Sequence, residues 1–176
     1  MDLLQQFALG DVEAFESLFR QHQAEVCRWI VALVRDPAAA EDLTIETFWR
    51  IYRAHARFDP RRSFGAWARR IAVNLALNHL QHAGREVHGD DVSLAVQPAL
   101  PAPDPASSSE TRAAILSAFS SLPAKLRAVA TLALIEELPY AEIAEALDIS
   151  VEAVKSREFR AVRLLRKELT LMDVQP

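Results

Sequence analysis

Apolar residues recur at helical spacing over most of the chain. Phe15, Leu18, Phe19, Val26, Ile30 and Leu33 form one such stripe behind Asp11, whose carboxylate is suited to accept from the open N–H groups of a first turn. Asp36-Pro37 ends that helix and begins the next, because proline is at home at a first helical position. The second helix carries Leu43, Phe48, Ile51 and Tyr52 and is broken by Phe58-Asp59-Pro60. Ser63 can cap a third, with Phe64, Trp67, Ile71, Leu75 and Leu80, ending near Gly84. A short N-terminal segment with Leu3, Leu4 and Phe7 is expected to pack across this bundle.

The pattern resumes near the C-terminus with PYAEIAEALDISVEAVKSREFRAVRLLR, Pro139 to Arg166. Counting Tyr140 as position one, Ala144 stands at five, Asp148 at nine and Val154 at fifteen: a small residue at a helix crossing, a turn residue and an apolar anchor. Two short helices packed at a steep angle need that spacing, so the segment reads as a helix-turn-helix. Ile143, Leu147, Ile149 and Val151 supply further apolar contacts, and Ser150 is a good cap for the second helix. Position nine is the weak point, since a left-handed backbone there favours glycine over aspartate.

Between the two patterns lies EVHGDDVSLAVQPALPAPDPASSS, with Pro98, Pro101, Pro103 and Pro105 ahead of three serines and no periodic apolar face. The expected fold is therefore all-α. Two small helical domains, residues 1–84 and 110–176, are joined by a flexible linker over 85–109. Richness in Ala, Leu, Glu and Arg with only four glycines in 176 residues points the same way.

Charge sharpens this picture. The formal net charge is −4, but residues 1–49 hold three Arg against nine Asp and Glu, whereas residues 50–70 hold seven Arg against Asp59 alone. The last helix is again basic: Lys155, Arg157, Arg160, Arg163, Arg166 and Lys167 alternate with Val154, Ala161, Leu164, Leu165 and Leu169. One side packs and the other is cationic. Local fields decide where a polyanion docks, so an acidic total is compatible with DNA at two separate patches. At the start of a second helix, Lys or Arg can contact phosphates or reach guanine O6 and N7 in the major groove. A solvated amphipathic helix in a small bundle would need the cations but not the Ala, turn and Val spacing.

The segment RIYRAHARFDPRRSFGAWARRIAVNLALNHL interleaves cations with Phe58, Phe64 and Trp67, and sets Asn74 and Asn78 four residues apart on one face. Cations along a backbone with planar or polar pockets for splayed bases are what holds single-stranded DNA. Phe64 and Trp67 also fit a helical core, while the Arg61-Arg62 loop suits nucleic acid better.

Other chemistries find little support. Five histidines lack HExxH spacing, no Gly-rich phosphate loop occurs, and no cofactor or metal is expected; the chain reads as no enzyme. Cys27, the single cysteine, forms no internal disulfide or zinc cluster and sits on the first helical stripe as a core residue. With no signal peptide and no apolar run long enough for membrane insertion, a cytoplasmic protein is expected. A self-sufficient transcriptional regulator, whose first domain senses a ligand or dimerises, is the rival reading; it would need a pocket where the chain offers cations and rings.

Four blocks in order, GDVEAFESLFRQH, AEDLTIETFWRIYRA, FGAWARRIAVNLALNHL and LPAKLRAVATLALIEELPYAEIAEALDISVEAVKSREFRA, resemble the extracytoplasmic-function (ECF) group of bacterial sigma factors over nearly the whole chain. These are the dissociable promoter-recognition subunits of RNA polymerase. The resemblance implies that Asp42, Leu43, Glu46, Phe48, Arg50 and Arg53 bind core RNA polymerase. It implies that Phe58, Arg61, Arg62, Ser63, Trp67, Asn74 and Asn78 capture the non-template strand of the minus-ten element. Ser150, Glu152, Lys155, Ser156, Arg157, Arg160 and Arg163 would read the minus-thirty-five duplex. An anti-sigma factor is a further implied partner. Three positions depart from the family's pattern: Ile45 stands where glutamine is usual, Asp148 where glycine is usual, and Gln81-His82 where arginine is frequent.

Overall fold

The computed structural model describes residues 2–86 and 109–171, and its regular elements there are all helical. The chain divides into two compact units, Met1–Ala99 and Leu100–Pro176. The expected linker falls almost wholly between residues 87 and 108, outside the described residues.

The first unit contains α1 (Leu3–Ala8), α2 (Val12–Val34), α3 (Pro37–Arg53) and α4 (Phe64–Glu86). Its helix starts are fixed by the side chains that the sequence offers. Asp11 Oδ1 accepts from Ala14 N at 2.8 Å, Asp36 Oδ1 from Ala38 N at 3.0 Å and Ala39 N at 3.2 Å, and Ser63 Oγ from Ala66 N at 3.3 Å. Each such cap satisfies N–H groups that the helix cannot satisfy itself, typically stabilising it by about 1 kcal/mol. Between α2 and α3 the chain turns through Arg35, whose φ of 61° is left-handed. α4 runs past Gly84 to Glu86.

α2, α3 and α4 pack on one another around Leu18, Val26, Trp29, Ile30, Leu33, Ile51 and Val73, all buried. α1 closes one end. Its Phe7 is fully buried, with Phe58, Phe64 and Trp67 rings at 5.7, 5.5 and 6.2 Å. Edge and tilted contacts of this kind add about 0.5–1.5 kcal/mol per pair to the area term. The short N-terminal segment thus pins the 3₁₀ turn His55–Arg57 and the loop after it to the bundle.

The second unit contains α5 (Ser109–Ser121), α6 (Ala124–Ala130), α7 (Tyr140–Leu147) and α8 (Val151–Leu171), with α8 packed against the other three. Ala118, Phe119, Leu122, Ala130, Ala161 and Leu165 form one buried cluster. Arg127 Nη2 donates to Ser120 O at 2.7 Å and Leu122 O at 3.1 Å, satisfying carbonyls that the end of α5 leaves open. Burial lowers the pKa of this guanidinium from its ordinary value. After α6 the backbone widens into a π turn, Thr131–Ile135, with Glu136 N donating to Thr131 O at 3.0 Å.

Two apolar positions differ from expectation. Val151 and Leu164 are substantially exposed, because the buried stripe of α8 runs through Val154, Ala161 and Leu165, and both lie off it.

Candidate functional site

The AEDL block forms the outer face of α3. Asp42 is exposed, Leu43 and Glu46 are half-buried, and Arg50 Nε donates to Glu46 Oε1 at 2.7 Å, one helical turn away. Phe48 is 2% exposed, wedged edge-on against Phe19 at 4.7 Å. Its neighbours behave oppositely: Ile45 is 68% and Trp49 54% exposed, and together with Val12, Phe15 and Phe19 of α2 they wall an open apolar groove of ≈ 460 Å³. Sequence reasoning assigned Phe48 and missed Ile45, Trp49 and the α2 contribution. The missing signal lay in register, because Ile45 and Trp49 are one turn apart on a face that neither α2 nor α4 covers. Arg53 is exposed and shares a second, basic concavity with Arg50 and Arg57.

The loop after the 3₁₀ turn is built around Asp59. Its Oδ1 accepts from Arg61 N at 3.0 Å and from Arg61 Nε at 3.1 Å, and its carbonyl accepts from Arg62 N at 2.9 Å. Hydrogen bonds from the Arg61 side chain and backbone hold the Asp59 carboxyl below the usual carboxylate range, and Asp59 in turn raises Arg61. The consequence is a loop that presents Arg61 and Arg62 to solvent just before Ser63 starts α4. Phe58 lies under this loop, 5% exposed, with the Trp67 ring at 5.0 Å. Trp67 is half-buried, and Asn74 and Asn78 are exposed one turn apart farther along α4. Loop cations, half-open indole and amides therefore share one side of the first unit, and Phe58 and Phe64 support them from below.

In the second unit the helix-turn-helix has the geometry its spacing requires. Asp148 ends α7 at φ 54°, ψ 49°, Ile149 N donates to Ala144 O at 3.0 Å, and Ser150 Oγ accepts from Ala153 N at 3.1 Å. Ala144 and Val154 are buried where the helices meet. Of the residues assigned to duplex reading, Ser150, Glu152, Lys155, Ser156, Arg160 and Arg163 are exposed and Arg157 is half-buried. Lys155 Nζ lies 3.2 Å from Glu152 Oε1.

Among the described residues no group of His, Cys, Asp and Glu could hold a metal ion, and no helix is long and apolar enough to cross a membrane.

Comparison with known proteins follows the same division. Residues 18–86 match Sigma-70 region 2, and residues 112–165 match Sigma-70, region 4. The chain is 32% identical to the RNA polymerase sigma-H factor of Pseudomonas aeruginosa, covering 95% of this chain and 92% of that one. It is 31% identical to the ECF RNA polymerase sigma factor SigW of Bacillus subtilis, covering 94% of each. Among solved structures, CnrH in complex with the cytosolic domain of CnrY superposes with a TM-score of 0.68 at 25% identity, over 99% of this chain and 97% of the other. An all-α pair of units, one ending in a cationic helix-turn-helix, with both sigma regions in order, defines a sigma factor. The chain belongs to the ECF family of RNA polymerase sigma factors.

Proposed function

We propose that the chain docks on core RNA polymerase through the α2–α3 face, captures the unpaired non-template strand with the Asp59–Ser63 loop and α4, and reads the upstream duplex with α8. The observation that carries this reading is the sorting of surface chemistry. An acidic chain displays its cations on the loop leading into α4 and on α8, while the α2–α3 face is apolar and bears the Glu46–Arg50 pair.

The role is one of binding, with no bond chemistry of its own. Duplex contacts, base capture and polymerase docking offset the cost of unpairing, on the order of 1–2 kcal/mol for each stacked step. Common attachment to polymerase raises the effective concentration of each unit at its element. The acidic first half disfavours free DNA, so docking is what permits recognition. An anti-sigma factor belongs to the same reading: RpoE of Bartonella quintana, which shares this fold with a TM-score of 0.70 at 21% identity, was solved with the anti-sigma factor NepR. The protein would act in the cytoplasm beside polymerase.

In vitro transcription with purified core polymerase and a promoter library tests the reading. Specific initiation that depends on the added chain supports it. Failure to direct any initiation by sigma-free core, with DNA binding intact, would instead identify a self-sufficient regulator.

A further inference from the structure

Phe159 is 70% exposed, a whole aromatic ring left in water on the helix proposed to read DNA. It follows Val154 by five residues and precedes Ala161 by two, spacings that place it across the helix from the buried stripe of α8. Its lateral neighbours are polar. Lys155 and Arg163 lie four residues to either side, Ser156 three before and Glu152 seven before, all on one face and all exposed. An apolar partner protein would meet a ring bordered by charge. A polyanion with an apolar feature between its phosphates meets complementary chemistry throughout.

The duplex offers one such feature. In the major groove only thymine presents an apolar group, its C5 methyl, and a phenyl ring, having no donor or acceptor, discriminates by that contact alone. Cations around the ring position the helix through phosphates and carry no sequence information themselves. Lys155 is partly neutralised by Glu152 at 3.2 Å, which leaves Arg163 the less encumbered anchor beside the ring.

We propose that Phe159 is a specificity-determining residue that selects a thymine in the upstream promoter element by contact with its methyl group. The inference rests on the reading of α8 as the duplex-reading helix and assigns one base position to one side chain. Nothing in the packing of α8 depends on the ring, so its removal leaves the fold in place.

The test uses holoenzyme assembled from the full chain and core polymerase. Upstream sequences are first selected from a randomised library with the native chain and with Phe159→Ala, and each selected thymine is then replaced by deoxyuridine, which removes only the methyl. One buried methyl corresponds to roughly a fourfold change in affinity. The expected result is a thymine enriched by the native chain but not by Phe159→Ala, at which deoxyuridine weakens native binding about fourfold and leaves the variant unchanged. Equal thymine enrichment and an equal deoxyuridine penalty in both proteins would overturn the assignment. So would weakened transcription by Phe159→Ala with unaltered upstream binding, which would make the ring a protein-docking group. Enrichment of no upstream sequence by the native holoenzyme would overturn the duplex reading of α8 itself, a separate outcome.

Discussion

Tyr140 donates its phenol proton to Glu158 Oε2, tying the first residue of α7 to the middle of α8. The two helices of the helix-turn-helix are thus joined at their exposed edge as well as through Ala144 and Val154. The hydrogen bond to Glu158, followed by the repulsion a phenolate would feel from that carboxylate, raises the Tyr140 pKa above its ordinary value. Since the folded value lies above the unfolded one, the bond's contribution is complete below pH ~10 and is lost as pH rises through the folded value. Glu158→Gln should move one of the chain's two tyrosine titrations, followed by tyrosinate absorbance, to lower pH. Tyr140→Phe should abolish that titration. An unmoved titration in Glu158→Gln would show that the contact does not persist in solution.

Asp148 occupies the left-handed turn at φ 54°, where an L side chain is held at a cost that glycine does not bear. Asp148→Gly should therefore stabilise the second unit by up to about 1 kcal/mol, partly offset by the freer unfolded chain. Denaturant midpoints at unchanged slope measure it.

Much of this architecture is legible in the sequence because it is local. Asp11, Asp36 and Ser63 were recognisable caps since a cap is defined by a side chain two or three residues from the N–H it serves. The Ala144, Asp148 and Val154 spacing fixed the helix-turn-helix for the same reason. Exposure was harder to read, because it depends on which faces other helices cover. Phe48 and Trp49 are adjacent aromatics in one block, yet one lies in the core and the other in water. Phe58 was assigned to DNA from its basic neighbours and lies beneath the loop; Phe159 drew no assignment and stands fully out. The π turn after α6 has no local signature and depends on how the chain must enter α7.

That contrast between Phe48 and Trp49 separates stability from docking. Phe48→Ala should cost about 3–5 kcal/mol, as removal of a buried ring from a packed core does. Trp49→Ala should change stability by no more than about 0.5 kcal/mol, since the indole is already half in water. Its affinity for core polymerase should nonetheless fall, and Ile45→Asp should lower it further by placing a charge in the apolar groove. Thermal melts and holoenzyme titrations distinguish the two effects; native core affinity in both groove variants would remove the groove from the docking face.

Attachment and strand capture should also separate within the first unit. Glu46 and Arg50 pair with each other, so reversing both could rebuild the pair in the opposite sense; single reversals, Glu46→Arg or Arg50→Glu, are the sharper probes and should weaken core binding. Ala at Arg61, Arg62 and Asn78 should leave assembly near normal and reduce open complex. Each arginine that contacts a single-strand phosphate contributes roughly 0.7 to the slope of log affinity against log salt, so the slope should fall by about that amount per arginine removed. Asp59→Asn retains an acceptor for Arg61 N but frees the Arg61 guanidinium from its ion pair, and should raise affinity for single strands at low salt. If strand capture is what the alanine variants lose, templates already unpaired at the minus-ten element should restore their opening, because the unpairing cost no longer has to be offset by the lost contacts. Full open-complex formation by these variants on ordinary duplex, or a defect confined to polymerase binding, would refute the division.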